Sequence, residues 1–290
     1  GRATGIDMLL GARYTHIDTD ADDVFVGLAL PAAALALAAG FNGRDRSKSD
    51  DNFDLAGRFR YGVADHLDLT FGLGRKTRSP FYIERYIWLP IEASAGLADG
   101  NNYVGNPRLD PEVSYEIEAG FDWDVGTAYL MPRAFYRSID DYIQGMPIMD
   151  MNTVMVSTMN GDATPLQFTN VDAELYGADA TWGYVFGSRW HVDGVVTYVR
   201  GRRRDTADDL YRITPLRATA ALSYMGDGWS LTVEGVGVAE QEKVSATNGE
   251  TRTGGHGLLN IHGEWQVNAN ATVTAGIENA LDHRYADHLA

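Results

Sequence analysis

The chain contains no cysteine. Without thiols it has no disulfide scaffold, no thiol nucleophile and no Cys-based zinc site. Positive charge is scarce: 24 Lys plus Arg stand against 40 Asp plus Glu, a formal net charge of −16. So acidic a surface is a poor coat for nucleic-acid phosphates. A membrane helix is also missing. The longest apolar run, Val24 to Phe41, contains Pro31 and falls short of the roughly 20 residues a spanning helix needs. It reads as a loop or a short loop helix. The mean hydropathy of −0.24 is too polar for a helical bundle. There is no P-loop, GxSxG elbow, HExxH pair or dinucleotide fingerprint. No covalent chemistry is signalled, and the chain is not expected to be an enzyme or to hold a cofactor.

Glycine and aromatics are plentiful: 32 Gly, 15 Tyr, 10 Phe and 6 Trp in 290 residues. The apolar residues recur with period two. From Glu112 to Trp123, one face reads Val113, Tyr115, Ile117, Ala119, Phe121 and Trp123. The other reads Glu112, Ser114, Glu116, Glu118, Gly120 and Asp122. Soluble strands usually run about 5–6 residues. Twelve alternating residues suit a strand that crosses a bilayer at a tilt. Similar alternation starts at Ile6, Phe53, Leu67 and Leu216. Segments 127–143, 166–185, 190–202, 229–240, 256–266 and 271–285 read as further strands, about eleven in all.

The connections alternate in length. Short ones lie near Gly62–His66, Asp124–Gly126, Gly187–Arg189, Gly226–Gly228 and Asn268–Asn270. Long ones lie near 17–50, 76–111, 144–165, 203–212 and 241–254. Outer-membrane barrels have short periplasmic turns and long extracellular loops. Trp123, Trp182, Trp190, Trp229 and Trp265 all fall beside the short turns. That is where an interfacial girdle belongs, because an indole buries its ring and keeps its N–H wet. Core tryptophans of a soluble sandwich would scatter along the strands. The expected fold is all-β, an antiparallel transmembrane β-barrel.

Several segments then resemble the TonB-dependent outer-membrane receptors. KTRSPFYIE at Lys76–Glu84 is similar to the family's R-x-P…E element, and NPRLDPEVSYEIE at Asn106–Glu118 to its NP-x-L-x-PE strand opening. FYRSIDDYI (Phe135–Ile143), TNVDAELYGAD (Thr169–Asp179) and GIENALDHRY (Gly276–Tyr285) complete the set in family order. The resemblance implies a 22-stranded barrel with an N-terminal plug and an aromatic-ended final strand. Residues 1–290 are expected to be a C-terminal portion of that barrel, with plug and final strand absent and unable to fold alone. It further implies import of a scarce nutrient across the outer membrane of a Gram-negative cell, energised by TonB through the plug. Its partners would be lipid, lipopolysaccharide and a metal or metal chelate. Glu84–Asn106, DDYIQGMP and YADHLA are most similar to the copper-receptor branch, which implies copper. A siderophore or other metal-chelate receptor, a passive porin and an outer-membrane enzyme are the alternatives.

Candidate ligand groups follow from residue type. GMPIMDMNTVMVSTMNG holds Met146, Met149, Met151, Met155 and Met159 on an expected extracellular loop. Thioether sulfur is soft and suits Cu(I), while methionine is also an adaptable packing residue. On a strand Met149 and Met151 would share a face; on a helix Met151, Met155 and Met159 would. His283 and His288 could meet near the outer rim, although the strand-end motif explains their segment. Arg200 and Arg202–Arg204 are expected on a solvated loop balanced by Asp205, Asp208 and Asp209. Glu112, Glu116, Glu118 and Asp122 should line a hydrated lumen and face Arg13, Arg58, Arg133 and Arg137.

Overall fold

A computed structural model describes residues 5–25, 27, 30–90 and 99–288. Eleven of the described strands form one antiparallel meander. They are β1 (Ile6–Thr19), β2 (Lys48–Ala64), β3 (Leu67–Arg78), β5 (Glu112–Asp124), β6 (Ala128–Pro147), β7 (Leu166–Phe186), β8 (Trp190–Arg203), β9 (Arg217–Met225), β10 (Trp229–Val238), β11 (His256–Asn268) and β12 (Ala271–Ile277). The two-residue β4 (Tyr103–Val104) sits within a long loop and pairs in parallel with β7. Among the described residues, three helices also lie in the long loops: α1 (Ala32–Asn42), α2 (Tyr82–Tyr86) and α3 (Met151–Met159). Among the described residues β1 pairs only with β2, and β12 only with β11, so the sheet is open.

Register turns the period-two pattern into two faces. Leu73 pairs with Ile117, which pairs with Tyr136. One residue along, Gly74 pairs with Glu116, which pairs with Arg137. Leu73, Ile117, Leu222 and Leu231 are 40–49% exposed despite being apolar. In water that would be costly; against hydrocarbon it is the favourable arrangement. The band is bounded below by Trp190 on β8 and above by Arg200, with Val192, Gly194, Val196 and Tyr198 between on the same face. Trp190 to Tyr198 rises about 27 Å along the strand, or about 21 Å at a tilt of about 40°. That matches the apolar height of an outer-membrane barrel.

Five of the turns are short. Three are closed by glycine in the left-handed region, Gly126 at φ 80°, Gly187 at φ 66° and Gly228 at φ 78°. Close packing needs another: a Cβ on Gly183 would lie 2.4 Å from the Tyr129 ring, which covers it from the neighbouring strand. β6 and β7 are the longest strands, at 20 and 21 residues, and their outer ends carry the pairing to Pro147–Leu166.

Three expectations require correction. The last strand stops at Ile277, short of residue 285, because Asn279 and Asp282 both take φ 49°. Asn and Asp tolerate that conformation, which breaks a ladder. Arg200, Arg202 and Arg203 belong to β8, not to a loop, since β7 reaches far enough to pair with them. Met146 lies in β6 rather than in the loop, whereas Met151, Met155 and Met159 lie on α3 within the long connection, as one of the two readings had it. The run at Val24–Phe41 includes α1, as expected of a loop helix; Val26, Leu28 and Ala29 lie outside the described residues.

Candidate functional site

The inner face carries a ladder of opposite charges. Nearest the short turns, Arg60 meets Asp68 at 2.5 Å and Asp122 at 3.8 Å, and Arg133 also pairs with Asp122. Higher up, Glu116 takes Arg137 at 2.7 Å and Lys76 at 3.9 Å. Arg13 pairs with Asp54 at 2.5 Å rather than with the glutamate row. Arg78 holds Glu112 through two nitrogens, at 2.8 and 2.7 Å, and Glu84 at 2.8 Å. These groups border a recess of about 790 Å³ lined by Arg13, Asp54, Lys76, Arg78, Glu112 and Arg137. Paired charges suit a wetted wall, and none is arranged as nucleophile and base. At the top, Arg85 and Asp50 form a fully buried pair at 2.8 Å. Nothing in the spacing of residues 50 and 85 marked that contact beforehand.

Above the sheet the long loops lock together into a crown. Its apolar floor is Tyr103, Leu109, Ile143, Leu166 and Phe168, with the Tyr103 and Phe168 rings stacked at 5.0 Å. Asp99 is one hub. It accepts hydrogen bonds from Tyr103 at 2.5 Å and Tyr211 at 3.1 Å, and Arg212 approaches at 3.6 Å. Burial opposes its charge, yet the hydrogen bonds from Tyr103, Asn101 and Tyr211 outweigh burial and hold the carboxyl below its usual range. Burial, then the Asp99 charge, pushes the Tyr211 hydroxyl up to about 12. Asp208 is a second hub. Burial works against its charge, and donors from Thr247, Ala246 and Ser245 keep it ionised below the usual value.

The sequence-derived candidates divide by position. Met151, Met155 and Met159 occupy successive turns of one face of α3, and Met149 precedes its cap. Their exposures are 76%, 50%, 65% and 90%. Asp150 caps the helix, accepting from the Thr153 N–H at 2.9 Å and its hydroxyl at 2.8 Å. The opposite face is fixed: the Asn102 amide donates to the Ser157 carbonyl at 3.2 Å and hydroxyl at 2.9 Å, and Val156 packs on Ala33 and Ala34 of α1. So α3 turns its thioethers outward because its small polar residues are tethered inward. Met146 is apart from this group, in β6. Its sulfur faces donors from Gln144 and Arg203, each at 3.6 Å.

The histidines do not converge. His288 is buried against Glu250 at 3.1 Å and Thr253 at 2.8 Å, whereas His283 is exposed and its backbone bonds Asn279. Among the described residues no three His, Asp or Glu side chains form a metal cluster. Three of the four arginines are paired, Arg200 with Asp209 at 3.3 Å, Arg203 with Asp205 at 2.5 Å, and Arg204 with Asp140, while the Arg202 Nε is buried without a hydrogen-bond partner.

Comparison with known proteins agrees with this architecture. No curated protein matches the sequence. A solved structure named "Copper transporter OprC" superposes with a TM-score of 0.79 at 21% identity, over 98% of this chain and 41% of that one. The ferric enterobactin receptor PfeA of Pseudomonas aeruginosa gives 0.63 at 14% identity, over 99% of this chain and 48% of its own. The FrpB iron transporter of Neisseria meningitidis gives 0.66 at 14%, over 98% and 40%. The chain thus spans less than half the length of these proteins. At such identities the likeness shows the fold. The family model described as TonB dependent receptor-like, beta-barrel, matches residues 4–280, and the chain therefore belongs to the TonB-dependent receptor β-barrel family.

Proposed function

We propose that this chain is the C-terminal part of the barrel of an outer-membrane receptor that imports copper, driven by TonB acting through a plug. The observation that carries the copper reading is the thioether face of α3. Residues i and i+4 on a helix lie about 5–6 Å apart. Met151, Met155 and Met159 thus give adjacent soft donors on the outer side of the crown, with Met149 beside them. Soft donors favour Cu(I) over the hard cations abundant outside the cell. The likeness to a structure named as a copper transporter supports the same substrate. In this reading copper is captured at the crown and handed inward, and the chain performs no covalent catalysis. The receptor resides in the outer membrane of a Gram-negative bacterium, with its long loops facing lipopolysaccharide.

The test is titration of the full-length receptor with Cu(I) against a competing chelator. Replacing Met146, Met149, Met151, Met155 and Met159 with Leu should weaken binding about tenfold or more, while Met146→Leu alone should change it little. Unchanged affinity in the five-site variant would reject the crown as a capture site. The likeness to a ferric enterobactin receptor and an iron transporter favours a second reading, a metal-chelate receptor of the same family. Absence of Cu(I) binding together with binding of a ferric chelate would establish that one instead.

A further inference from the structure

At the short-turn rim, one stretch of the outer face carries a continuous run of aromatic rings. Tyr184 stacks near Phe186 at 5.9 Å between centroids, and Phe186 near Trp190 at 6.1 Å. Trp190 meets Tyr224 edge-on at 4.9 Å, and Tyr224 meets Trp229 at 5.2 Å. The rings come from β7, β8, β9 and β10, so they span two adjacent short turns. Those turns supply one charge of each sign. Arg189 of the first approaches both carboxylate oxygens of Asp227 in the second, each at 3.2 Å. The Arg189 guanidinium also donates to the Tyr224 hydroxyl at 3.4 Å. The Trp229 ring folds back over the second turn, where a Cβ on Gly226 would meet its Nε1 at 2.2 Å. That places the indole N–H at the level of the two charges.

We infer that Arg189, Asp227 and the surrounding rings form a binding site for a zwitterionic aminophospholipid, phosphatidylethanolamine, of the periplasmic leaflet. The inference goes beyond the copper reading and rests only on the chain being embedded in a bilayer. Charge complementarity selects the occupant. The Arg189–Asp227 pair is wet, with Asp227 92% exposed, and an exposed pair of this kind contributes little to stability. It can therefore open and exchange each partner for an opposite charge on one headgroup. The planar guanidinium fits a phosphodiester, and the carboxylate accepts N–H donors from a primary ammonium. The two turns belong to neighbouring hairpins, with the Met225 N–H donating to the Arg189 carbonyl at 2.7 Å, so both charges stand within reach of one headgroup once the pair opens. Above the rings, towards the middle of the band, Val192, Leu222 and Leu231 offer an apolar surface to the acyl chains. Phosphatidylcholine has no N–H on its cation, and phosphatidylglycerol has no cation. Lipopolysaccharide is on the opposite, long-loop side.

The experiment is native mass spectrometry of the delipidated full-length receptor in an equimolar mixture of dioleoyl phosphatidylethanolamine, phosphatidylcholine and phosphatidylglycerol. Wild type should retain phosphatidylethanolamine about fivefold over either competitor. Asp227→Asn should move the preference to phosphatidylglycerol, because the cation-binding half is gone and the anion-binding half remains. Arg189→Gln combined with Asp227→Asn should retain the three lipids equally, with the folded gel mobility of the unheated barrel unchanged. Equal retention by wild type, or a phosphatidylethanolamine preference that survives Asp227→Asn, would overturn the proposal.

Discussion

At the scale of single residues, the deciding feature is which face a side chain occupies. Ile117 and Glu118 are sequence neighbours with opposite surroundings. Ile117 lies between Leu73 and Tyr136 on the exposed apolar face, while Glu118 lies on the charged one. Ile117→Arg would put a guanidinium near the middle of the apolar band. In the full-length receptor this should destabilise the barrel by about 2–4 kcal/mol, whereas Glu118→Gln should change stability by well under 1 kcal/mol. The temperature at which the barrel loses its folded gel mobility reports both. A large drop for Glu118→Gln with none for Ile117→Arg would invert the assignment of faces. This assignment is legible in the sequence, since alternation across Glu112–Trp123 is unbroken and a sheet with one buried face pins its register. The buried Arg85–Asp50 pair is not legible, because its partners come from α2 and β2 and neither lies in a periodic pattern.

At the scale of elements, α3 shows how a loop segment becomes a platform. Its sequence alone left strand and helix readings open for the methionines. The helix is selected by the Asp150 cap and by the tether from Asn102, which lies 55 residues away and is fully buried. Asn102→Ala removes the donor to Ser157, whose carbonyl keeps the Asn160 and Asp162 N–H groups and whose hydroxyl keeps the Asp162 carbonyl, so the cost is that of the lost hydrogen bonds, about 0.5–1.5 kcal/mol each. If the tether holds the platform, α3 amides should exchange with solvent about tenfold faster or more, and amides of β5–β8 at their former rate. Uniform acceleration throughout the sheet would show that Asn102 serves global stability instead. The crown hubs were hidden from the sequence for the same reason. Asp99 and Tyr211 are 112 positions apart, and only the folded loops bring them together. The end of β12 was misjudged because Asn279 and Asp282 leave the ladder by a backbone conformation that hydrophobic pattern does not report.

At the scale of the whole molecule, the parts divide into three zones. A girdle of aromatics marks the short turns, an apolar band with a charged inner wall crosses the middle, and a hydrogen-bonded crown stands above. The polar composition is thereby placed: carboxylates on the inner wall pair with arginine, as Asp68, Glu112, Glu116 and Asp122 do, and the acidic excess that arginine cannot match is carried by the inner face and the loops. Under the proposed function, the crown is the ligand-facing surface and the charged inner wall the hydrated path. The most direct test is energised uptake. Cells expressing the full-length receptor should accumulate copper faster than cells lacking it, and collapse of the proton-motive force should abolish the difference. Receptor-dependent accumulation that continues unchanged after the collapse would contradict active transport and leave a passive pore.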